Sequence, residues 1–107
     1  MLRIYDVILE VMRELRPALD ELRRRHRGLW EQATNALQSV LLNVAEGSGS
    51  VGGNRTLRYS TALGSMLETN ACFDGAVALG YVRPIEVGTA RKIDRIVGTL
   101  VKLTAPR

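Results

Sequence analysis

From one end of the chain to the other, apolar side chains return at three- and four-residue steps, the spacing of one face of an α-helix. In the first segment Ile4, Ile8, Val11, Leu15, Leu19 and Leu22 draw a single stripe, while Glu10/Glu14 and Arg13/Arg16 occupy the opposite face. Pro17 interrupts that stripe without ending it. It removes one backbone donor and is expected to kink the helix near Arg13–Arg16. Gly28 closes the segment after Arg23-Arg24-Arg25-His26-Arg27, cations that suit a helix C-terminus. A second helix follows, in which Trp30, Ala33, Leu37, Val40 and Val44 form a stripe widened by Ala36, Leu41 and Ala45. Its other face, Gln32, Asn35, Ser39, Asn43 and Glu46, is polar but almost uncharged, so this helix is expected to be covered on most sides. Gly47 ends it, and 48–53 reads as a flexible Gly/Ser connector.

Asn54 is a suitable N-cap for a third helix with Tyr59, Leu63, Met66, Phe73 and Val77 toward the core. A second stripe of small residues, Ser60, Gly64, Ala71, Gly75 and Ala78, would let another helix approach closely. Two glycines inside a helix cost about 1 kcal/mol each relative to Ala, a cost that makes sense where backbone meets a neighbour. Gly80 ends this helix, and Pro84 suits the first turn of a last one carrying Ile85, Ile93, Ile96, Leu100 and Leu103. The pattern predicts an all-α single domain over 1–107: an antiparallel up-down four-helix bundle with helices over about 3–27, 29–46, 55–79 and 84–103, the first kinked at Pro17.

Composition narrows the function. Hydrophobic residues are 46% of the chain and aromatics only 5%, so the core is built from Leu, Val, Ile and Ala. Cys72 is the only cysteine, which excludes an intrachain disulfide and points to a reducing compartment. The opening Met1–Asp6 lacks a signal peptide's apolar run, and nothing approaches the roughly 20 apolar residues of a membrane span. A cytoplasmic protein that does not enter membranes is expected. The net charge of +4 is uneven: 1–27 and 81–107 are basic, 28–52 is acidic, and 13 of the 15 cations are Arg. A polyanion or an acidic protein surface fits that distribution.

Enzyme chemistry has little to stand on. With one His, one Cys and no metal-ligand spacing, no catalytic residue, metal or cofactor is expected. His26 reads as part of a solvated charge run. Cys72, beside Phe73, reads as a packing residue, because a nucleophile needs a nearby base. The glycines at 47, 49, 52 and 53 lack the Gly-Lys-Ser/Thr ending and preceding strand of a phosphate loop. More informative are polar residues in apolar settings: Asn43 and Glu46 one turn apart on the second helix, Ser65 and Glu68 one turn apart on the third. Glu68 falls on the small-residue stripe, where an unpaired buried carboxylate is very unfavourable. Its partner is Asn43, Ser65, an Arg such as Arg58, or a group from another subunit. These four residues are expected to form a structural polar network that fixes helix register, in preference to an acid/base pair.

Gln32-x-x-Asn35-Ala36-x-x-Ser39-Val40-x-x-Asn43-Val44-Ala45-Glu46-Gly47 resembles the second helix of a bacterial four-helix-bundle family, whose pattern is Gln…Arg-Ala…Ser…Asn-Ile-Ala-Glu-Gly. Ala62-Leu63-Gly64-Ser65-x-x-Glu68 is similar to that family's Ala-x-Gly-Ser-x-x-Glu element, and Ala78-x-Gly80-Tyr81 to its helix end. Members include proteins encoded in intervening sequences of bacterial 23S ribosomal RNA genes and accessory proteins of diversity-generating retroelements. The likeness is close over 29–82 and by pattern alone outside it. Asn35 stands where the family usually has Arg. The resemblance implies a homo-oligomer, typically a five-subunit barrel, and for retroelement members a partnership with a reverse transcriptase and its RNA or complementary DNA.

Two functions are therefore expected to compete. In one, Arg23, Arg24, Arg25, Arg27, Arg55 and Arg58 contact phosphates of RNA or DNA, multiplied by oligomerisation. No aromatic residue interleaves these arginines in the sequence, so binding would be independent of base sequence. In the other, the basic surface meets an acidic partner such as a polymerase subunit, and the protein is an interaction scaffold without nucleic-acid binding.

Overall fold

A computed structural model describes residues 2–106, and every element among them is helical. There are five helices where the pattern predicts four: α1 (Arg3–Glu14), α2 (Arg16–Arg25), α3 (Arg27–Ser48), α4 (Gly52–Ala78) and α5 (Val87–Thr104). The extra break falls at Leu15, a turn residue inside the first predicted helix that keeps right-handed helical dihedrals of φ −82°, ψ −7°. Pro17 is the physical reason. Its ring nitrogen has no hydrogen to give to the Arg13 carbonyl, and the ring crowds that carbonyl, so the ladder restarts with Pro17 in the first turn of α2. The apolar stripe nevertheless runs through the break: Ile4, Ile8, Val11, Leu15 and Leu22 are all buried, joined by Val7.

Other boundaries also shift from the predicted ones, three of them with a clear local cause. α2 stops at His26 rather than at Gly28, because His26 adopts an extended conformation and caps α3, its Nδ1 accepting a hydrogen bond from Leu29 N at 3.0 Å. α4 starts two residues before Asn54: the connector turns at Gly52, φ +60°, which only glycine adopts at no steric cost, and Asn54 Nδ2 donates instead to Ser50 Oγ at 3.0 Å. α5 starts at Val87 rather than Pro84. A residue before proline favours extended backbone, and no residue from Pro84 to Glu86 joins a helix, Ile85 tucking partly against the core.

α3 and α4 form an antiparallel hairpin. Gly47 opposes Tyr59 near its turn, and Ser39 meets Ser65 near its middle. The close approach needs glycine: a Cβ at Gly47 would sit 2.5 Å from the Tyr59 ring. At the far end Gly80, φ +78°, terminates α4 in a Schellman turn, with Tyr81 N donating to Ala76 O at 2.8 Å and Gly80 N to Val77 O at 3.0 Å. α5 lies against α4 and α1, and the α1–α2 arm lies against α3. Phe73, Met66, Leu22, Val40, Ile96 and Leu100 fill the shared core. α1 is fastened to α5 at the Glu14 carboxylate, which accepts a hydrogen bond from Thr89 Oγ1 at 2.6 Å and pairs with Lys92. Lys92 first, and then Thr89, hold that carboxyl below the usual carboxylate range. Among the described residues no helix is long and apolar enough to cross a membrane.

Candidate nucleic-acid interface

Arg23, Arg24 and Arg25 end α2, where cations complement the unpaired carbonyls of the last turn. Arg27 opens α3 one residue beyond the His26 cap. The tight junction between the two helices therefore gathers four guanidinium groups at one exposed corner. Their positions are held by specific contacts. Glu21 pairs with Arg24 and accepts a hydrogen bond from Arg25 Nε at 2.9 Å, which pulls its own carboxyl below the usual range, Arg24 contributing most. Arg27 Nε stands 3.6 Å from Glu31. Arg23 has no ion-pair partner among the described residues and lies over the Trp30 ring, 4.9 Å from its centroid, with Arg27 at 5.7 Å.

Trp30 is the residue missed by reading the arginines in sequence. The fold brings it among them, because α3 starts at Arg27 and places residue 30 one turn along, on the side that α2 covers. The helical spacing from Arg27 was the available signal. Tyr81, just past the Schellman turn, joins the same corner: its ring lies 5.4 Å from that of His26. Behind it runs an open groove of about 770 Å³ between Leu15, Pro17 and Ala18 on one wall and Tyr81, Val82 and Pro84 on the other, with Arg25 and Glu21 along the rim.

Arg55 and Arg58 do not belong to this corner. They sit at the hairpin turn, and the 22 residues of α3 separate the two sites by about 30 Å at 1.5 Å per residue. Arg58 Nη1 pairs with Glu46 at 3.0 Å across the hairpin, and Arg55 Nε donates to Ser50 O at 2.8 Å. The six arginines thus fall into a cluster of four and a structural pair.

The polar network divides in the same way. Asn43 Nδ2 donates to Ser39 O at 2.9 Å and to Ser39 Oγ at 3.1 Å, while Ser39 Oγ and Ser65 Oγ share a hydrogen bond of 2.7 Å. This chain of three ties α3 to α4, with Ser39 as the middle member. Glu46 is outside it, paired with Arg58. Glu68 is outside it too: the side chain is exposed and makes no hydrogen bond or ion pair among the described residues. A step of three residues turns a helix about 60° short of a full turn, and that carries Glu68 off the α3-facing side on which Ser65 lies. Cys72 is buried in the core, and burial, helped by the Glu68 carboxylate, pushes its thiol up. Set against protein-family models, curated proteins and solved structures, this chain matches none of them.

Proposed function

We propose that this protein is a non-enzymatic, homo-oligomeric accessory module of the cytoplasm that holds nucleic acid on the Arg23/Arg24/Arg25/Arg27 corner. In this reading α1 and α2 act as one kinked arm of an antiparallel four-helix bundle, the bundles assemble into a ring of about five, and the corner is repeated around it. One observation carries the nucleic-acid reading: four arginines converge at one exposed helix junction, three fixed by carboxylates and one by an indole. Guanidinium groups held in place lose less freedom on meeting phosphate than free ones. Trp30, partly packed against the core, lies beneath Arg23 and Arg27 and orders them for phosphate contact. A reverse transcriptase and its RNA or complementary DNA are the partners that the family resemblance suggests.

Self-association is supported from within the chain. Gly64 and Gly75 lie inside α4, yet a Cβ built on either meets no atom within 4 Å. Around them Leu57 and Leu67 on α4, and Leu42 on α3, are 60%, 50% and 58% exposed. A face of small and apolar residues without a neighbour in its own chain suits a second copy.

The scaffold reading has its own support. Glu21, Glu31 and Glu46 already engage Arg24, Arg25, Arg27 and Arg58, so much of the basic character is compensated internally. Salt separates the two. Affinity for RNA or DNA is expected to fall steeply as salt rises, and replacing Arg23, Arg24 and Arg25 with Ser should flatten the slope of log affinity on log salt by roughly one unit per lost contact. Helix content should be unchanged. Absence of binding to any nucleic acid at about 50 mM salt would remove this function in favour of the scaffold.

A further inference from the structure

The face of α4 that lacks a neighbour is acidic. Glu68 and Asp74 bracket Ala71, three residues to either side, and Leu67 stands exposed beside them. Neither acid has an ion-pair partner among the described residues. On another flank of the molecule the opposite arrangement occurs. Where α1 breaks from α2, an open groove is floored by Leu9, Met12, Leu19 and Leu37 and edged by Arg13 and Arg16. These two arginines are exposed and likewise form no ion pair among the described residues. The side chain of Thr34, in the groove wall, holds a buried hydroxyl with no hydrogen-bond partner.

The two surfaces cannot meet within one chain. Leu37, on the groove's floor, lies about 160° round that helix from Ser39, which faces α4. The acidic face and the basic groove therefore sit on opposite flanks of α3. We propose that they meet between copies: α4 of one subunit lays Leu67 and Ala71 into the apolar groove of the next, and Glu68 and Asp74 pair with its Arg13 and Arg16. This rests on the self-association proposed above and specifies its contact. Each copy presents a different surface to each of its two neighbours, so the contact is head-to-tail and repeats until the ring closes. The charges fix its register and exclude the two-fold alternative, in which acidic face would meet acidic face.

Two charge-reversed proteins test the pairing, Arg13→Glu with Arg16→Glu, and Glu68→Lys with Asp74→Lys. All four positions are exposed, and circular dichroism checks that each protein keeps its helices. Sedimentation velocity should show each variant alone associating on the order of 100-fold more weakly than the parent, as like charges then face each other. An equimolar mixture should recover association into alternating assemblies, because every contact between unlike variants is again complementary, although an odd-numbered ring cannot alternate throughout. One chain carrying all four changes should regain the parent's assembly. If both variants associate like the parent, or if the mixture and the fourfold variant stay apart, the pairing is wrong while self-association stands. A parent protein sedimenting as an 11.8 kDa monomer at all concentrations would overturn both.

Discussion

Gly47, in the last turn of α3, and Gly75, within α4, are helical glycines of the same hairpin, and they are there for different reasons. At Gly47 the cause lies within the chain, because the Tyr59 ring occupies the space a side chain would take. At Gly75, and equally at Gly64, nothing in the chain is close, although the helix bears the same cost of about 1 kcal/mol each. One glycine is explained by the fold, whereas the fold supplies no reason for the others. The two faces of α4 separate in the same way: Tyr59, Met66 and Phe73 are buried toward the core, while Leu57, Leu67 and Glu68 face outward.

The strongest test of this contrast is Gly47→Ala. Overpacking against Tyr59 should lower stability by about 1–3 kcal/mol in denaturant unfolding, and an unchanged midpoint would show that the hairpin yields there. Gly75→Leu should act differently, leaving helix content intact but weakening self-association by about 1–3 kcal/mol through overpacking between copies. Gly64→Ala sharpens the same point. In a free helix it should stabilise by about 1 kcal/mol. At concentrations where copies associate that gain should shrink or reverse, so a full gain at every concentration would mean an open face.

Carboxylates extend the comparison with smaller effects. Glu14 faces α5, and its carboxyl, held low by Lys92 and then Thr89, contributes stability that is present above the unfolded carboxylate's ordinary range. That contribution disappears as pH falls through the lowered folded value. Thermal melts from neutral into acid should therefore show Glu14→Gln losing stability at neutral pH and converging on the parent in acid; parallel curves would refute the link. Glu68→Gln should differ from Glu10→Gln by no more than about 0.5 kcal/mol in the monomer, since both side chains are exposed. A larger loss confined to the associated state would place Glu68 in the contact between copies.

Helical periodicity made the core legible: of the apolar residues read as core, Ile4, Ile8, Val11, Ala33, Leu37, Val40, Val44, Tyr59, Met66, Phe73, Ile93, Ile96 and Leu100 are buried. Boundaries were less legible, because they depend on single backbone groups. The missing donor at Pro17 predicts a kink near Arg13–Arg16, but the apolar stripe, which runs on across it, does not tell a kink from a break at Leu15. A ring nitrogen capping at His26 cannot be told by spacing from a solvated histidine. The six arginines look like one set only while the length of α3 is ignored. Ser39, Asn43 and Ser65 are closely spaced around one hairpin and were within reach of pattern reading. Trp30 stands one helical turn from Arg27, a spacing the sequence shows. Arg23 reaches Trp30, and Tyr81 reaches His26, only through the α2–α3 junction and the turn after α4, which periodicity does not describe.

The attachment of Glu14 to Thr89 and Lys92 also bears on the order in which the chain folds. It joins residues 75 and 78 positions apart, whereas the Ser39–Ser65 contact spans only 26. Closing the longer loop costs more chain entropy before any contact rewards it. The α3–α4 hairpin is therefore the expected nucleus, with docking of α1 on α5 expected to follow the rate-limiting step. Changes at Gly47 should then slow folding, and changes at Glu14 or Thr89 should mainly speed unfolding. The fastening between the outermost helices should then set how long the native protein lasts rather than how quickly it forms.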